Sequence, residues 1–446
     1  MIMRDPWVYI GFSMIDQVEA VSFYSNKKLL STQSSPKLTK EFLRWLVGFI
    51  DAEGCFMVLV KNSTVSFMLR IELHKDDAGV LYKIKEMLGV GNIQFNRSRD
   101  SVLFYVAKFE DIVGVILPIF EEFSLQTTKY LDFKSFKEAI NIKLNYKKRD
   151  TLTKTDIKKI NNLKASMNSL RSISDKELDI LRKRINIDPS WLMGFVEGEG
   201  TFGYKHLVPY FQIGQHEKNS FVLKAIELFL LDLSKQSNYF IGVAPGVGTE
   251  LFTIHYALNN RTGVYSMTVL GIDPLYKFIV PFFGSMPFLT RKSIDFYYWV
   301  ISVRMHKLGY YYLPEGKKIA LQISMSTNKH RLTTFKGNRV SLPSEESISK
   351  LFSRPAPFDV NKGKSHFELV REFIISKGGR KGFIVHIYDL SKEKELPGSP
   401  FSTYGAGHKV IGLRAGSRVI GRYIDTGKAY KDRYIFSSVP NNFKNE

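Results

Sequence analysis

Two stretches of this sequence repeat one unusual pattern, 146 residues apart. The first reads LVGFIDAEG over residues 46–54, and the second reads LMGFVEGEG over residues 192–200. Each follows a tryptophan (Trp45 or Trp191), carries a glycine within an apolar helix-like run, and leads into a strand-like run. The spacing is close to the length of one domain, which predicts two related halves within one chain.

The central glycines, Gly48 and Gly194, predict that the two repeated helices pack against each other. Glycine inside a helix costs about 1 kcal/mol relative to alanine, and close approach of two helix backbones is the simplest reason to keep it. The acids at the helix ends, Glu53 and Glu199, would then lie side by side. Two buried carboxylates repel each other unless a cation lies between them, and Mg²⁺ prefers such oxygen ligands. For one copy alone, a solvated residue at a helix end would be the simpler interpretation.

The charge balance indicates a polyanionic partner. Lys and Arg number 64 against 43 Asp and Glu, which gives a net charge of +21 and a pI near 9.6. Such a field attracts nucleic-acid phosphates in a salt-dependent way. The single cysteine, Cys55, excludes disulfides within the chain and cysteine-based zinc sites. No apolar run is long enough for a transmembrane helix, so no membrane partner is expected.

The order of apolar runs predicts an α+β fold made of two pseudo-symmetric αββαββα halves. The first half covers residues 39–145 and the second covers residues 190–332, joined by a partly helical segment over residues 146–189 that is expected to cross the surface. The run TKYLDF at residues 128–133 returns as RKSIDF at residues 291–296, which supports the repeat. Helices are expected on one face of each antiparallel sheet, so that the two open faces form a DNA-binding saddle.

Alternation along the strands predicts which side chains face the saddle, because neighbouring strand residues lie on opposite faces of a sheet. Phe56, Leu69 and Ile71 are expected to point to the core. A twisted antiparallel ribbon fits the major groove of DNA, where polar side chains contact base edges. The side chains predicted to contact DNA are Met57, Leu59, Lys61, Arg70 and Glu72 in the first half and Lys205 and Gln212 in the second.

The paired motifs resemble the signature of the LAGLIDADG homing endonucleases, in the single-chain form with two motifs that fungal organellar introns encode. The resemblance covers residues 39–332 and implies that the motif helices meet at the interface of the halves. It also implies that the final acids, Glu53 and Glu199, bind a divalent metal and direct hydrolysis of the two strands of duplex DNA. The expected metal is Mg²⁺, with Mn²⁺ or Ca²⁺ as substitutes. The expected protein is a mitochondrial monomer that makes a double-strand break in a long asymmetric site and so promotes intron mobility.

Active sites of this family also carry glutamine and lysine side chains that orient solvent, and the resemblance assigns Gln215 and Lys108 to these positions. Leu73 stands at the glutamine position of the first half, and the second half has no evident lysine. Each pocket would therefore lack one group, which predicts unequal cleavage of the two strands or weakened activity. The earlier acids of the motifs, Asp51 and Glu197, are expected to be structural.

The C-terminal region predicts a second DNA-binding element. After a linker over residues 333–380, residues 381–438 show two short helical runs around a turn, flanked by short strand-like runs. Residues 401–446 hold 8 Lys and Arg against 3 Asp and Glu. The region resembles the modular helix-turn-helix DNA-binding domains appended to homing endonucleases. Its predicted DNA contacts are Arg414, Ser417, Arg418 and Arg422.

The N-terminal residues 1–38 match nothing in the repeat and end in a polar stretch. They are interpreted as a leader or a fused upstream segment. Acids at Asp5, Asp16 and Glu19 argue against a mitochondrial transit peptide, because such peptides avoid acidic residues.

Two other functions are compatible with a basic saddle. Some proteins of this kind are maturases that assist the splicing of their host intron, which makes group I intron RNA the alternative partner. A DNA-binding regulator without catalysis is the other alternative. Retention of both motif glutamates favours a nuclease, because a protein that only binds RNA has no physical need for a pair of metal-binding acids.

Overall fold

The computed structural model describes six stretches of the chain: residues 38–147, 150–168, 171–235, 254–360, 364–376 and 385–438. The predicted N-terminal leader, apart from Leu38, lies outside the described residues. The chain divides into two compact units, residues 1–363 and residues 364–446. No helix in the described stretches is long and apolar enough to span a membrane.

The first half of the first unit has the predicted αββαββα order, followed by one further helix. Its elements are α1 (Lys40–Glu53), β1 (Gly54–Lys61), β2 (Thr64–His74), α2 (Ala78–Leu88), β3 (Asn92–Asn96), β4 (Ser101–Val106), α3 (109–122) and α4 (Lys129–Leu144). Helix α3 contains a π-helical stretch, Ile112–Ile116. The segment between the halves forms α5 (Lys154–Ala165) and α6 (Asp175–Arg184).

The second half repeats the same order, which confirms the predicted α+β architecture of two pseudo-symmetric halves. Its elements are α7 (Pro189–Glu199), β5 (Gly200–Lys205), β6 (Val208–His216), α8 (Ser220–Lys235), β7 (Ile254–Asn259), β8 (Val264–Val269), α9 (272–284), α10 (Lys292–Leu308) and α11 (Pro314–Ser326). Helix α9 contains a π-helical stretch at the same place as α3, Leu275–Ile279. The repeat seen in the sequence is therefore a repeat of tertiary structure.

Local chemistry fixes where the two motif helices begin and end. Thr39 and Asp188 cap their N-termini through side-chain oxygens that accept backbone amide hydrogens. Each helix stops at its glutamate because the next residue, Gly54 or Gly200, turns to an extended backbone. A Cβ atom at Gly54 would lie 2.9 Å from the carbonyl oxygen of Ile50, so only glycine fits there. Both glutamates are thus held at a helix end that leads straight into a strand.

The strands of each half form one antiparallel four-stranded sheet, in the order β1-β2-β4-β3 and β5-β6-β8-β7. Gly54 pairs with Ile71 in the first sheet, and Gly200 pairs with Ile213 in the second. The C-terminal ends of β2 and β6 therefore lie beside the motif glutamates. Phe56 and Leu69 are fully buried, as alternation predicts, and pack under the helices. The opposite faces of the sheets are left open.

The connecting segment is more deeply integrated than a surface crossing. Helix α5 is the counterpart of α11, because both lead into an asparagine with a left-handed backbone, Asn168 (φ 57°) and Asn328 (φ 56°). These side chains donate to the carbonyl oxygens of Phe56 and Phe202 at 3.0 and 3.1 Å. Ile160 of α5 is fully buried in the main core. Each half therefore carries two helices beyond the predicted αββαββα order, α4 and α5 in the first half and α10 and α11 in the second.

The linker predicted over residues 333–380 is wrong for its first part. Helix α12 (Glu345–Phe352) packs onto the second half through Ile348 and Leu351, which join a core cluster with Met305 and Ile323. The pattern escaped prediction because a helix of two turns carries few apolar residues and its partners are distant in sequence. The later part of the predicted linker holds α13 (His366–Ser376), which falls in the second unit.

The second unit is small and has its own core. Its further elements are β9 (His386–Asp389), β10 (Lys394–Glu395), α14 (Tyr404–Val410), α15 (Val419–Tyr423) and β11 (Tyr434–Ser437), with sheet order β10-β9-β11. Ile387, Phe401, Ile420 and Phe436 form the core beneath the two short helices. Asp389 is fully buried and accepts two hydrogen bonds from Arg433, at 3.1 and 2.9 Å. The two helices are separated by a turn, as the sequence predicts.

Candidate active site

The two motif helices pack through their central glycines. A Cβ atom at Gly48 would lie 2.0 Å from the carbonyl oxygen of Trp191, and one at Gly194 would lie 1.9 Å from the carbonyl oxygen of Trp45. No side chain fits at either position. The structure thus places both predicted interface glycines where the backbone of one motif helix meets the backbone of the other, and this contact brings the ends of α1 and α7 together.

Each motif tryptophan reaches across the interface to the earlier acid of the other motif. The indole of Trp45 donates to Glu197 at 2.8 Å, and the indole of Trp191 donates to Asp51 at 2.9 Å. Asp51 also accepts from two backbone amides just before α4, at 2.7 and 3.2 Å. Glu197 likewise accepts from two amides just before α10, at 2.9 and 2.6 Å. These buried contacts agree with the structural role expected of the earlier acids.

The final motif acids open into one cleft of about 680 Å³ at the seam between the halves, called the seam cleft below. The Oε1 atom of Glu53 lies 3.4 Å from the place that a Cβ atom would take at Gly198, next to Glu199. Burial raises the pKa of both carboxyls, and the charge of Glu53 raises the pKa of Glu199 further. The cleft therefore holds two neighbouring half-buried acids whose charged forms need a cation.

Two half-buried lysines to which sequence reasoning gave no role lie beside the acids. Lys129 Nζ donates to two carbonyl oxygens in the last turn of α1, at 2.8 and 3.0 Å. Lys292 Nζ donates to the corresponding end of α7, at 3.0 and 3.1 Å. Burial lowers the pKa of both lysines, and nearby acids that include Glu53 oppose this shift. The signal was present in the sequence, because the repeated runs at residues 128–133 and 291–296 both have lysine in second place.

The acids sit in two composite pockets, each built from both halves. In the Glu53 pocket, burial has the largest effect and raises the pKa of Glu53. The positive charge of Lys292 opposes this shift, and the negative charge of Asp77 adds to it. In the Glu199 pocket, a hydrogen bond from Gln215 lowers the pKa of Glu199, against the larger effect of burial. The structure thus brings the predicted Gln215 to its acid.

The two pockets differ at the position of that glutamine. Gln215 accepts a hydrogen bond from the Asn219 side chain at 3.0 Å, which fixes the amide. The Glu53 pocket has Leu73 and Asp77 near the end of β2, where the Glu199 pocket has Gln215 and Asn219 near the end of β6. The glutamine is thus present in one pocket and absent from the other, as the sequence indicates. The expectation that the second half supplies no lysine is wrong, because Lys292 lies at the cleft.

The structure does not bring Lys108 to the site. Leu69 pairs with Val106, so β4 runs away from the motif glutamates and Lys108 follows its far end. Its side chain is 67% exposed and forms an ion pair with Asp111 at 3.3 Å. The assignment failed because it relied on position after β4 without the direction of that strand. Lys129 and Lys292 occupy the place that it was expected to fill.

The side chains predicted to read DNA lie on the open sheet faces. Lys61 and Lys205 are exposed at the ends of β1 and β5. Glu72 accepts from the Ser101 hydroxyl at 2.7 Å, and Gln212 donates to the Thr268 hydroxyl at 3.1 Å. Met57, Leu59 and Arg70 occupy outward positions of β1 and β2, each partly or well exposed.

A groove of about 610 Å³ on the first sheet adds residues that the sequence reasoning missed. It is lined by the expected Arg70 and Glu72 together with Gln94, Arg97 and Arg99. Gln94 could have been predicted from strand alternation in β3. Arg97 and Arg99 could have been predicted from their place in the turn that joins β3 to β4.

The four predicted contacts of the second unit lie between and along its short helices. Arg414 and Arg418 are exposed in the segment between α14 and α15, and Arg422 is exposed within α15. The hydroxyl of Ser417 accepts from the Val419 amide at 3.3 Å and so helps to start α15. The three arginines are available to a polyanion.

The donor atoms of the seam cleft fit a hard divalent cation. The described part of the chain contains no group of three or more His, Cys, Asp or Glu side chains placed to hold a metal. Glu53 and Glu199 would therefore be its only side-chain ligands there, with substrate phosphate and water supplying the rest. This is the pattern that suits Mg²⁺, which keeps several waters and is held by one or two carboxylates plus phosphate oxygens.

Comparison with known proteins finds matches to parts of this chain. Residues 46–140 match the family described as LAGLIDADG endonuclease. A probable intron-encoded endonuclease 3 of Neurospora crassa is 28% identical over 318 residues, 66% of this chain and 56% of the relative. A probable intron-encoded endonuclease Cox1-I1b of Schizosaccharomyces pombe is 32% identical over 181 residues, 40% of this chain and 44% of the relative. The chain thus spans about half the length of these two relatives.

A third relative matches nearly the whole chain. It is an uncharacterized mitochondrial protein RF1 of Saccharomyces cerevisiae, 24% identical over 439 residues, 93% of this chain and 86% of the relative. The homologues are thus mitochondrial or intron-encoded proteins of fungi, in agreement with the predicted mitochondrial setting.

Solved structures share the fold of about two thirds of this chain. The homing endonuclease I-SmaMI bound to cleaved DNA has a TM-score of 0.53 and 26% identity, and the match covers 67% of this chain and 100% of that chain. I-LtrWI bound to target DNA has a TM-score of 0.53 and 23% identity, over 65% of this chain and 99% of that chain. The chain therefore contains a LAGLIDADG domain, is homologous to fungal intron-encoded endonucleases, and is structurally similar to the single-chain LAGLIDADG homing endonucleases I-SmaMI and I-LtrWI.

Proposed function

We propose that this protein is a site-specific homing endonuclease that makes a double-strand break in a long asymmetric DNA target and so promotes mobility of its intron. The observation that carries the proposal is the pair of half-buried carboxylates, Glu53 and Glu199, at the seam between two open sheet faces. A binding protein would gain nothing from keeping two acids together in a basic protein, since they repel both DNA and each other. The names of the endonuclease relatives support the same class of reaction.

The roles of the side chains follow from their charges and positions. Glu53 and Glu199 would hold the divalent metal ions, with Mg²⁺ as the proposed ion and Mn²⁺ or Ca²⁺ as substitutes. When bound, such ions polarise the scissile phosphate, lower the pKa of water and stabilise the departing 3′ oxygen. Gln215 is positioned to orient a water molecule in the Glu199 pocket through its fixed amide.

Lys129 and Lys292 add fixed positive charge next to the acids. Each keeps the end of its own motif helix in place through carbonyl contacts, so the charge does not have to reorganise during the reaction. In hydrolysis a water oxygen bonds to phosphorus while the bond from phosphorus to the 3′ oxygen breaks. Positive charge near the phosphate stabilises the negative charge that spreads over its oxygens.

Target recognition would come from both units. The outward residues of the two sheets, such as Arg70 and Gln212, would contact base edges in the major groove. In the second unit, Arg414, Arg418 and Arg422 would bind DNA with Ser417 at the start of α15. A chain with two halves in sequence already contains both pockets, which is consistent with action as a monomer.

The direct test is cleavage selection from a randomised duplex library with Mg²⁺, followed by single substitutions. Glu53→Gln and Glu199→Gln should abolish double-strand cleavage of the selected site while binding without metal is kept. Glu138→Gln, which changes an exposed glutamate of α4, is the matched control and should cleave like the wild type. Wild-type rates on both strands in either motif variant would refute the proposal.

The maturase alternative makes a different prediction that the same variants can examine. Binding to group I intron RNA and stimulation of its splicing need no pair of metal-binding acids. Splicing assistance by wild type and Glu53→Gln alike, with no DNA cleavage by either, would replace the nuclease proposal with the RNA function.

A further inference from the structure

A segment of the second half crosses to the first half at the mouth of the seam cleft. This segment, residues 328–334, is called the strap. The amide and hydroxyl of Thr333 donate to Asp76 at 2.7 and 2.8 Å, and the Thr334 hydroxyl bonds His74 at 2.9 Å. Arg331 pairs with Asp77 at 3.5 Å and with Asp295 at 3.0 Å. The strap is therefore tied to the end of β2, and Asn328, Lys329, Arg331 and Leu332 line the cleft.

Two basic side chains of this cleft are not neutralised. Arg99, in the turn between β3 and β4, and Lys329 of the strap both line the seam cleft and are exposed. The nearest acid in sequence to Arg99 is Asp100, which is committed to Lys75 at 2.5 Å. In the part of the chain that the structure describes, neither Arg99 nor Lys329 forms an ion pair. Both are thus free to bind an anion that enters beside Glu53.

The repeat offers a built-in comparison, because neither cation has a basic counterpart in the other pocket. The pairs Asn96–Ser101 and Asn259–Val264 close the corresponding turns, so Arg99 matches Thr262. In the second turn the arginine, Arg261, stands one position earlier.

The cation of the strap, Lys329, is also matched by a residue that is not basic. Asn168 and Asn328 are equivalent by backbone conformation and by hydrogen bond, so the position that matches Lys329 is 169, a serine in the sequence. Two elements therefore supply a cation to the Glu53 pocket where the sequence has Thr262 and Ser169 at the matching positions of the other half.

We propose that Arg99 and Lys329 form a one-sided phosphate clamp, which grips the DNA backbone next to the bond cut in the Glu53 pocket. The inference rests on the proposed nuclease function and adds a difference between the cleavage of the two strands. The Glu53 pocket lacks the glutamine of its counterpart and has Leu73 instead, so added grip on the phosphate would compensate for poorer orientation of water. The expected consequence is that loss of the clamp slows cleavage of one strand only.

The test is a strand-resolved nicking assay on the site selected from the randomised library, with a different label on each strand. Arg99→Ala and Lys329→Ala should each slow nicking of the same strand about tenfold, as expected for one lost hydrogen bond to a charged group. The rate on the other strand should stay unchanged. Each substitution should also reduce the dependence of binding on salt by about one phosphate contact.

A matched control comes from the segment next to the strap. Lys336→Ala changes an exposed lysine just beyond the strap that does not line the cleft. It should not alter the ratio of the two nicking rates. Thr262→Arg should speed nicking of the strand that the clamp does not serve.

Two results would overturn the clamp. Equal slowing of both strands by Arg99→Ala and Lys329→Ala would assign these residues to general DNA binding. Unchanged nicking of both strands would remove them from the reaction. If the wild type binds the selected DNA and nicks neither strand, the proposed function itself fails, and that result is distinct from the other two.

Discussion

Trp45 of the first half donates its indole hydrogen to Glu197 of the second half across 2.8 Å, and both groups are buried. The same carboxylate accepts from the backbone just before α10, the helix that begins with Lys292. The Glu197 side chain therefore links the helix interface to the segment that positions Lys292 at the cleft. The reciprocal bond from Trp191 to Asp51 does the same for Lys129. The pseudo-symmetry of the fold thus extends to the hydrogen bonds that position the two lysines.

Replacement of Trp45 by phenylalanine should destabilise the first unit by about 2–3 kcal/mol, because a buried carboxylate loses a hydrogen-bond donor. Trp191→Phe should cost a similar amount through Asp51. Trp299→Phe is the control: its indole is also buried but donates to a neutral backbone carbonyl at 3.1 Å, so about 1 kcal/mol is expected. Chemical denaturation measures all three. Equal losses for Trp45→Phe and Trp299→Phe would show that the charge of Glu197 does not matter.

Gly48→Ala should destabilise the protein by about 3 kcal/mol or more, the upper end of what overpacking costs, because the new methyl group would collide with a backbone oxygen that cannot turn aside. Gly79→Ala is the matched control, since Gly79 lies in α2 with no atom within 4 Å of an added Cβ. There alanine should stabilise by about 0.5–1 kcal/mol. A mild effect at Gly48 would mean that the motif helices can move apart.

Sequence reasoning succeeded where the repeat and strand alternation carry the information. The paired motifs, the order of elements and the two interface glycines could be read directly, because glycine within an apolar helix is unfavourable unless a second backbone packs against it. The bond between Trp45 and Glu197 could not, since it joins residues 152 positions apart and depends on the crossing of two helices. Its only sequence signal is that both motifs have tryptophan six residues before the earlier acid.

The lysine assignment shows what the sequence leaves open. Lys108 follows β4 and Lys129 begins α4, and the sequence alone does not show which of the two elements approaches the motif acids. The direction of β4 decides between them. Because Gly54 pairs with Ile71 and Leu69 pairs with Val106, the end of β4 is carried away from the cleft. The repeated lysine of residues 128–133 and 291–296 was the better guide, since a residue that serves both pockets should occur in both halves.

Lys292→Met should lower cleavage about 100-fold on the strand cut in the Glu53 pocket, which is the usual size for loss of one fixed electrostatic group. Methionine keeps most of the apolar stem, so folding should survive. Lys129→Met should act in the same way on the other strand. Lys108→Met is the control and should have no effect, because its side chain lies far from the acids and 67% exposed. A loss at Lys108 as large as that at Lys292 would contradict this arrangement of the site.

The pH dependence of stability should reveal the two acids in the absence of metal. Burial raises the folded-state pKa of Glu53 and Glu199 above the ordinary value of 4.5, so the folded protein binds these protons more tightly than the unfolded chain. Their contribution to stability must then fall as pH rises from about 4.5 through the raised pKa. Glu53→Gln should gain stability relative to the wild type over that window when divalent ions are chelated.

Added Mg²⁺ should reverse this difference, because a cation between the acids stabilises their charged forms in the wild type and has less to bind in Glu53→Gln. Thermal unfolding of both proteins from acidic to mildly basic pH, with chelator and then with Mg²⁺, measures it. If the difference between wild type and variant does not change with pH, the acids are not a buried, mutually repelling pair.

The second unit should contribute binding without contributing chemistry. The double variant Arg418→Ala with Arg422→Ala removes two exposed charges around α15 and should reduce the salt dependence of DNA binding by about two phosphate contacts. Cleavage of DNA that is already bound should proceed at the wild-type rate, because both acids lie in the first unit. Lys392→Ala, at an exposed lysine between β9 and β10, is the control and should change neither quantity. Single-turnover cleavage separates DNA binding from the cleavage step. Slower cleavage of bound DNA by the double variant would show that the second unit acts on the cleavage step itself.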